Sequence, residues 1–280
     1  AIPTLTYEEF LQTHARHYAL PNSYTVLYGD MDIDRELAFI DERFRNATES
    51  DAGEPNPLAL QAPVSPAPAR VEMATAAGNA SVGVSYVIGS AADRTRVLAA
   101  DVLLDALCGS NEAPLKRRVI DAGLADDFQA MLLDGMLQPQ AMFQLKGTRE
   151  GAAEKFRVLL EETCAELAEK GIPRDKLSAA LAQAEFNLRE GDWGGYPDGV
   201  ALSMCVMSSW LYDDERPLDY VHYEDALATL KDGLDKGLFE QVLRELVCQN
   251  PHAAEVDLVP VEGGDAAEEA AELEARRATM

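Results

Sequence analysis

The side chains of this 280-residue chain best suited to metal or nucleophilic chemistry are four histidines, His14, His17, His222 and His252, and four cysteines, Cys108, Cys164, Cys205 and Cys248. Only His14 and His17 stand close together. An i, i+3 pair on a helix can hold zinc, but neither HExxH nor HxxEH surrounds it, and Glu8 and Glu9 fall in the first turn of the same helix. His222 lies in HYEDAL beside Glu224 and Asp225, which reads as a helix start with acids in its first turn. The cysteines are widely spaced, form no CxxC and sit in apolar helical contexts, so they are expected to be reduced and structural, with no pairing fixed by spacing. There is no GxSxG, and no cysteine has a histidine in a local catalytic signature. The residues therefore supply no catalytic group and no metal site, and they leave substrate-binding residues open.

Two glycine-bearing stretches remain. CGSNEAPLKRRVIDAGLADDF, residues 108–128, sets a turn, a carboxylate and three bases at the mouth of a helix. It lacks the second glycine and the Lys-Ser/Thr of a phosphate loop, and Glu112 stands where an anion would dock. It reads instead as a corner: Gly109 ends one helix, Ser110 or Asn111 caps the next, Pro114 lies in its first turn, Leu115 and Val119 face inward, and Gly123 closes it. The second stretch, REGDWGGYPDGVALSM from Arg189 to Met204, mixes aromatics with four glycines. Its readings are a binding surface or, more simply, a loop in which Asp198 caps the next helix.

These stretches hang on elements that the periodicity predicts. Thr6 and Glu9 have capping-box spacing ahead of a helix carrying Phe10, Leu11, His14 and Tyr18. NSYTVLYGD alternates as a strand and DRELAFIDERF returns to helical period, so residues 1–46 read as helix, strand, helix. Residues 47–68, with five prolines, read as a linker. Beyond it come strands in ARVEMAT and ASVGVSYVIG, an all-round apolar helix from Asp93 to Leu107, and an antiparallel pair in DFQAMLLDG and PQAMFQLKG. A long helix with Phe156, Leu159, Leu160, Thr163 and Leu167 on one face stops at Gly171. Three or four more helices follow, bearing Leu177, Leu181 and Leu188, then Val200, Met204, Met207 and Leu211, then Leu227, Leu230 and Leu234, then Phe239, Val242, Leu243 and Leu246. A strand, AEVDLVPV, precedes an Ala/Glu-rich helical tail without an apolar face of its own. The order predicts an α+β fold, an antiparallel sheet packed by several helices.

Composition narrows the partners. With 47% hydrophobic and 26% charged residues the chain is globular rather than disordered. No apolar run reaches the roughly 18 residues of a membrane span, and no signal peptide is visible, so the expected location is cytoplasmic. A formal charge of −25 repels nucleic acid and anionic lipid, and attracts basic peptides.

Several stretches in consecutive order resemble one family: LTYEEFLQTHARHYALPNSYTVLYGDMD, GSNEAPLKR, DAGLADD, LQPQAMFQLKGTREGAAEKF, YPDGVALSM and WLYDDE. They are similar to the insulinase or pitrilysin family of zinc metallopeptidases, in its presequence protease branch, departing locally where Leu20, Pro21 and Asn22 replace the family's Pro-Ser-Asn. The resemblance implies a clamshell enzyme that encloses unfolded peptides. In its first domain an HxxEH motif and a downstream glutamate hold zinc, whose bound water becomes the nucleophile. None of those residues occurs here, so no catalytic or metal residue carries over. Residues 1–46 would then be the closing helix, strand and helix of the first, catalytic-type domain, and 47–68 the Pro-rich linker. Residues 69–258 would be the second, non-catalytic domain, resembling the insulinase and mitochondrial processing peptidases in fold, and 259–280 the start of the helical connection between halves. The resemblance implies a fragment, inactive alone, of a zinc-dependent endopeptidase, forming a wall of its chamber. Its partners would be basic, unstructured peptides and the remaining domains. The rival expectation is a non-catalytic binding or scaffold subunit of the same fold.

Overall fold

The computed structural model describes residues 4–45, 58–191, 193–261 and 266–278. Helices α1 (Tyr7–His17) and α2 (Ile33–Arg45) lead. They are followed by β1 (Ala69–Ala74), β2 (Ser81–Val87), α3 (Arg94–Cys108), α4 (Pro114–Ala122), β3 (Asp127–Leu133), β4 (Gln140–Lys146), α5 (Ala152–Lys170) and α6 (Arg174–Glu190). Then come α7 (Asp198–Trp210), α8 (Glu224–Gly233), α9 (Leu238–Leu243), which runs on into a π-helical turn over Arg244–Cys248, β5 (Ala253–Val261) and α10 (Ala266–Ala278).

The strands form one sheet in the order β1-β5-β2-β4-β3. Alternation decides its two faces. Val82, Val84 and Tyr86 of β2 and Ala141, Phe143 and Leu145 of β4 are buried under the helices, while Ser81, Gly83 and Ser85 turn to the other side. The pairs β2–β4, β2–β5 and β3–β4 are antiparallel. The sheet is antiparallel as expected except at one edge, where β1 pairs with β5 in parallel, Ala69 opposite Val256. A parallel neighbour needs a long crossover, and the whole helical unit separates these two strands. The fold is α+β, as the element order predicts.

α3 is apolar on nearly every side because it lies between the sheet and a second shell of helices. Ten of its fifteen residues, including Leu103 and Leu107, are buried. α5 packs against α4 and α9, burying Phe156 and Leu160, and Phe156 meets Phe128 of β3 edge-on at 5.7 Å. The buried Phe239, Val242 and Leu243 of α9 and Leu246 of the π-helical turn after it complete this layer.

The leading piece differs from expectation. Thr6 and Glu9 form the predicted capping box, the Glu9 amide donating to Thr6 Oγ1 at 3.2 Å and the Thr6 amide to Glu9 Oε2 at 2.9 Å. The strand expected in residues 22–30 does not form: apart from a 3₁₀ turn at Leu20–Asn22, this segment has no regular structure. Alternation alone makes no strand, because the backbone needs a neighbouring strand to complete its hydrogen bonds. Tyr24 instead meets Trp210 edge-on at 4.8 Å and donates its hydroxyl to Asp214 at 3.0 Å. Most of the expected linker lies outside the described residues. Its end, 58–68, is irregular yet fastened: Val64 accepts from the Ala253 amide at 3.1 Å, and the Gln61 amide donates to Gln138 Oε1 at 2.8 Å.

Candidate functional site

The stretch 108–128 is a corner. α4 starts at Pro114 and Gly123 closes it in the left-handed conformation at φ 62°, with Leu115 and Val119 buried as expected. The capping residue is neither Ser110 nor Asn111 but Ala113, without a side-chain cap. Its amide donates to Ser110 O at 2.9 Å in a preceding turn, and proline at the first helical position removes one N–H that a cap would otherwise serve. Two of the three bases are committed: Arg117 pairs with Glu112 at 2.7 Å and Arg118 with Glu166 at 2.7 Å. A basic cradle for phosphate is absent from this corner.

The histidines do not assemble. His14 stacks on Tyr18 at 4.7 Å on α1, where no residue is buried, and His17 lies one turn on. His222 follows α7, and His252 precedes β5, its amide donating to Asn250 Oδ1 at 2.9 Å. Among the described residues no three His, Cys, Asp or Glu side chains converge to hold a metal ion. The four cysteines are free, Cys108 and Cys164 buried, Cys205 half-buried and Cys248 exposed. Zinc therefore does not fit the donors that these residues bring together.

The glycine-aromatic stretch behaves differently. Asp198 is the first residue of α7 rather than its cap, which is Pro197. The apolar positions expected to bury α7 point the other way: Val200 and Met204 are exposed, and only Ala201 and Ser209 are buried. That side of α7 opens on two adjoining recesses that share Asp134, Trp193, Cys205 and Ser208. The outer one, about 460 Å³, is lined by Tyr196, Met204 and Leu211. The inner one, about 340 Å³, runs between α3, α6 and α7.

Three charged side chains line the inner recess: Arg94 at the start of α3, Asp101 two turns on, and Asp134 on the β3–β4 turn. The Arg94 guanidinium lies over the Tyr220 ring at 4.6 Å, and Tyr220 donates its hydroxyl to Ala91 O at 2.9 Å, fixing the ring. Arg94 Nε is buried and finds no hydrogen-bond acceptor among the described residues, an arrangement that costs about 1–3 kcal/mol. Asp101 keeps part of its surface in solvent, yet desolvation by the surrounding protein, first, and the neighbouring Asp134, second, raise its carboxyl above its ordinary range, with Arg94 opposing them. Burial also pushes the Tyr220 hydroxyl up to about 12. Trp193 and Tyr223 supply aromatic walls. Trp193 sits close against Gly191, at φ 60°, where an added Cβ would come within 3.3 Å of the indole nitrogen.

Another recess, about 310 Å³, is lined by Glu161, Glu255 and Cys248, but Arg157 already bridges its carboxylates at 3.1 and 3.6 Å. The recess beside α7 is the better candidate because its half-buried cation, Arg94, has no carboxylate bridged to it among the described residues. Sequence reasoning reached Trp193 and Tyr196 through the glycine cluster and missed Arg94, Asp101, Asp134 and Tyr220. The available signal was the pair Asp101 and Asp105 interrupting an otherwise apolar helix.

Comparison with known proteins gives a consistent frame. A family model described as the peptidase M16 inactive domain matches residues 4–184. Protein HypA of Clostridium perfringens is 33% identical over 267 residues, 94% of this chain and 27% of that protein. Presequence protease 1, chloroplastic/mitochondrial, of Arabidopsis thaliana is 28% identical over 271 residues, 92% of this chain and 25% of that protein. The chain thus spans about a quarter of the length of these relatives. Among solved structures, a protease from Helicobacter pylori shares the fold with a TM-score of 0.67 at 16% identity, over 92% of this chain and 60% of that one.

Proposed function

Since the chain belongs to the family of M16 peptidase inactive domains, we propose that it is the non-catalytic part of a zinc metallopeptidase and forms a wall of the chamber in which that enzyme degrades oligopeptides. The observation that carries this reading is the family match joined to similarity with a presequence protease over nearly the whole chain. His14, His17, His222 and His252 stand apart among the described residues, and this reading assigns the chain's own residues no hydrolytic step. In this reading zinc is held by residues that this chain does not contain.

The division of labour follows. Residues 1–46 are the closing part of the first, catalytic-type domain, 47–68 connect, 69–258 form the wall, and 259–280 begin the connection to the other half. The peptides preferred are basic and unstructured, because a chain of net charge −25 raises their local concentration. No described helix is long and apolar enough to cross a membrane.

The test is incubation of this chain with a quenched-fluorescence basic peptide, with zinc and with a chelator, beside metal analysis and peptide binding by anisotropy. The expected result is binding without turnover and without stoichiometric zinc. Chelator-sensitive turnover with one bound zinc would overturn the assignment. A second reading, a non-catalytic scaffold subunit, is favoured by α1 and α2, which bury no residue and expose Tyr7, Phe10, Leu37 and Phe39. It prevails if the parent protein carries no HxxEH.

A further inference from the structure

We propose that the inner recess between α3, α6 and α7 is a subsite for one basic side chain of a bound peptide. Asp101 and Asp134 receive its cationic head, Trp193 and Tyr223 flank its stem, and Arg94 Nε donates to the peptide carbonyl beside it. This rests on the peptide-binding reading above and gives it a place and a chemistry.

Charge selects the class of ligand. One guanidinium against two carboxylates leaves the recess one negative charge in excess, which a lysine or arginine side chain neutralises. Arg94 asks for something else as well: its buried Nε–H lacks an acceptor among the described residues, and Tyr220, anchored on Ala91, keeps the guanidinium from swinging away. A free anion would serve Arg94 and face both carboxylates. A metal ion would serve the carboxylates, lie beside a guanidinium, and leave Nε unserved. A basic residue within a peptide brings a cation and a carbonyl together.

Size and walls agree. About 340 Å³ is at the small end of ligand sites, suited to one long side chain rather than a folded partner. Aromatic faces attract alkyl stems and cations alike, and the two here come from different elements, Trp193 from the loop after α6 and Tyr223 from the segment before α8. The β3–β4 turn carrying Asp134 is tied to the end of α7, Tyr212 donating its hydroxyl to Gly135 O at 2.9 Å. Arg216 Nη1 donates to Ala92 O at 3.1 Å next to Arg94. The charged groups are thus fixed by separate tethers.

The experiment uses the whole chain with Trp210→Phe, so that Trp193 is the sole tryptophan reporter, its count of two being reduced to one. Two acetylated, amidated pentapeptides are titrated, alike except for arginine or its uncharged isostere citrulline at the centre. The arginine peptide is expected to bind about tenfold more tightly, as a charged hydrogen bond implies. In the Asp101→Asn/Asp134→Asn double variant the difference falls below about twofold, and Arg94→Lys weakens both peptides alike. Should the double variant not fold, Asp134→Asn on the exposed turn carries the comparison. Equal affinity for the two peptides, or a preference that survives removal of the carboxylates, overturns the subsite. If neither pentapeptide binds while a long unstructured basic peptide does, the subsite is wrong and the peptide-binding reading stands. If no peptide binds, both fall.

Discussion

Burial raises the Cys164 thiol well above its ordinary value and does the same to Cys108, so neither has thiolate character under native conditions. Cys205 and Cys248 are also raised, but they retain access to solvent. Timed alkylation followed by mass spectrometry is expected to label Cys248 and then Cys205, reaching Cys108 and Cys164 only as the chain unfolds. Labelling of Cys164 as fast as Cys248 would contradict the buried assignment. The carboxylates provide an opposed pair. Arg96, donating to Glu245 Oε2 at 2.5 Å, holds the Glu245 carboxyl below its ordinary range. Its stabilisation is complete at neutral pH and is lost as pH falls through the carboxylate range. Asp101 is raised, so the folded state takes up a proton sooner than the unfolded one. Its contribution is unfavourable at neutral pH and is relieved as pH falls. Urea titrations are therefore expected to find Glu245→Gln less stable and Asp101→Asn at least as stable as the unaltered chain at neutral pH, with both differences shrinking in acid. A loss of stability in Asp101→Asn would mean that its charge is structural and would count against the recess as a binding site.

The helices divide into those the core needs and those it does not. α3 buries Leu103 completely, and Leu103→Ala is expected to cost about 2–5 kcal/mol, because a cavity in a close-packed layer relaxes only in part. α1 and α2 bury nothing. The leading piece touches the rest through Tyr24, on Trp210 and Asp214, and through Tyr28, which lies so close to Gly199 that an added Cβ there would overlap its ring. Removal of residues 1–46 is expected to shift the melting temperature by no more than a few degrees, about the effect of losing a hydrogen bond and one ring contact. Collapse of the cooperative transition in that truncated chain would show that the leading piece belongs to the same folding unit as the sheet.

At the scale of the molecule, 49 acidic residues against 24 basic ones create a field that acts before any specific contact forms. Such a field is screened over about 8 Å at physiological salt. Association of an unstructured basic peptide is therefore expected to slow and weaken as salt rises, mainly through the on-rate, whereas a neutral peptide of equal length should respond little. Stopped-flow anisotropy at several ionic strengths separates the two. Salt-independent binding of the basic peptide would remove charge from the account of its preference. The same field disfavours polyanions, which keeps nucleic acid outside the expected partners.

The amino-acid sequence by itself determined the elements of the larger unit. Two-residue alternation in ASVGVSYVIG and PQAMFQLKG marks half-buried strands, and Gly171 and Gly123 end helices because only glycine takes those backbone angles cheaply. These signals are local, so they survive in one dimension. Tertiary structure alone decided what lay between distant segments. The alternation of Tyr24, Val26 and Tyr28 made no strand because no neighbouring strand among the described residues meets it, and β1 turned parallel because its partner, β5, returns only after the whole helical layer. α7 exposes the apolar positions that periodicity would bury, since its outer side borders a recess rather than the core. Arg94, Asp101, Asp134 and Tyr220 share no motif or fixed spacing. They meet because α3, the β3–β4 turn and the segment after α7 pack at one place, and such meetings are set by the packing of distant elements, not by neighbours along the chain.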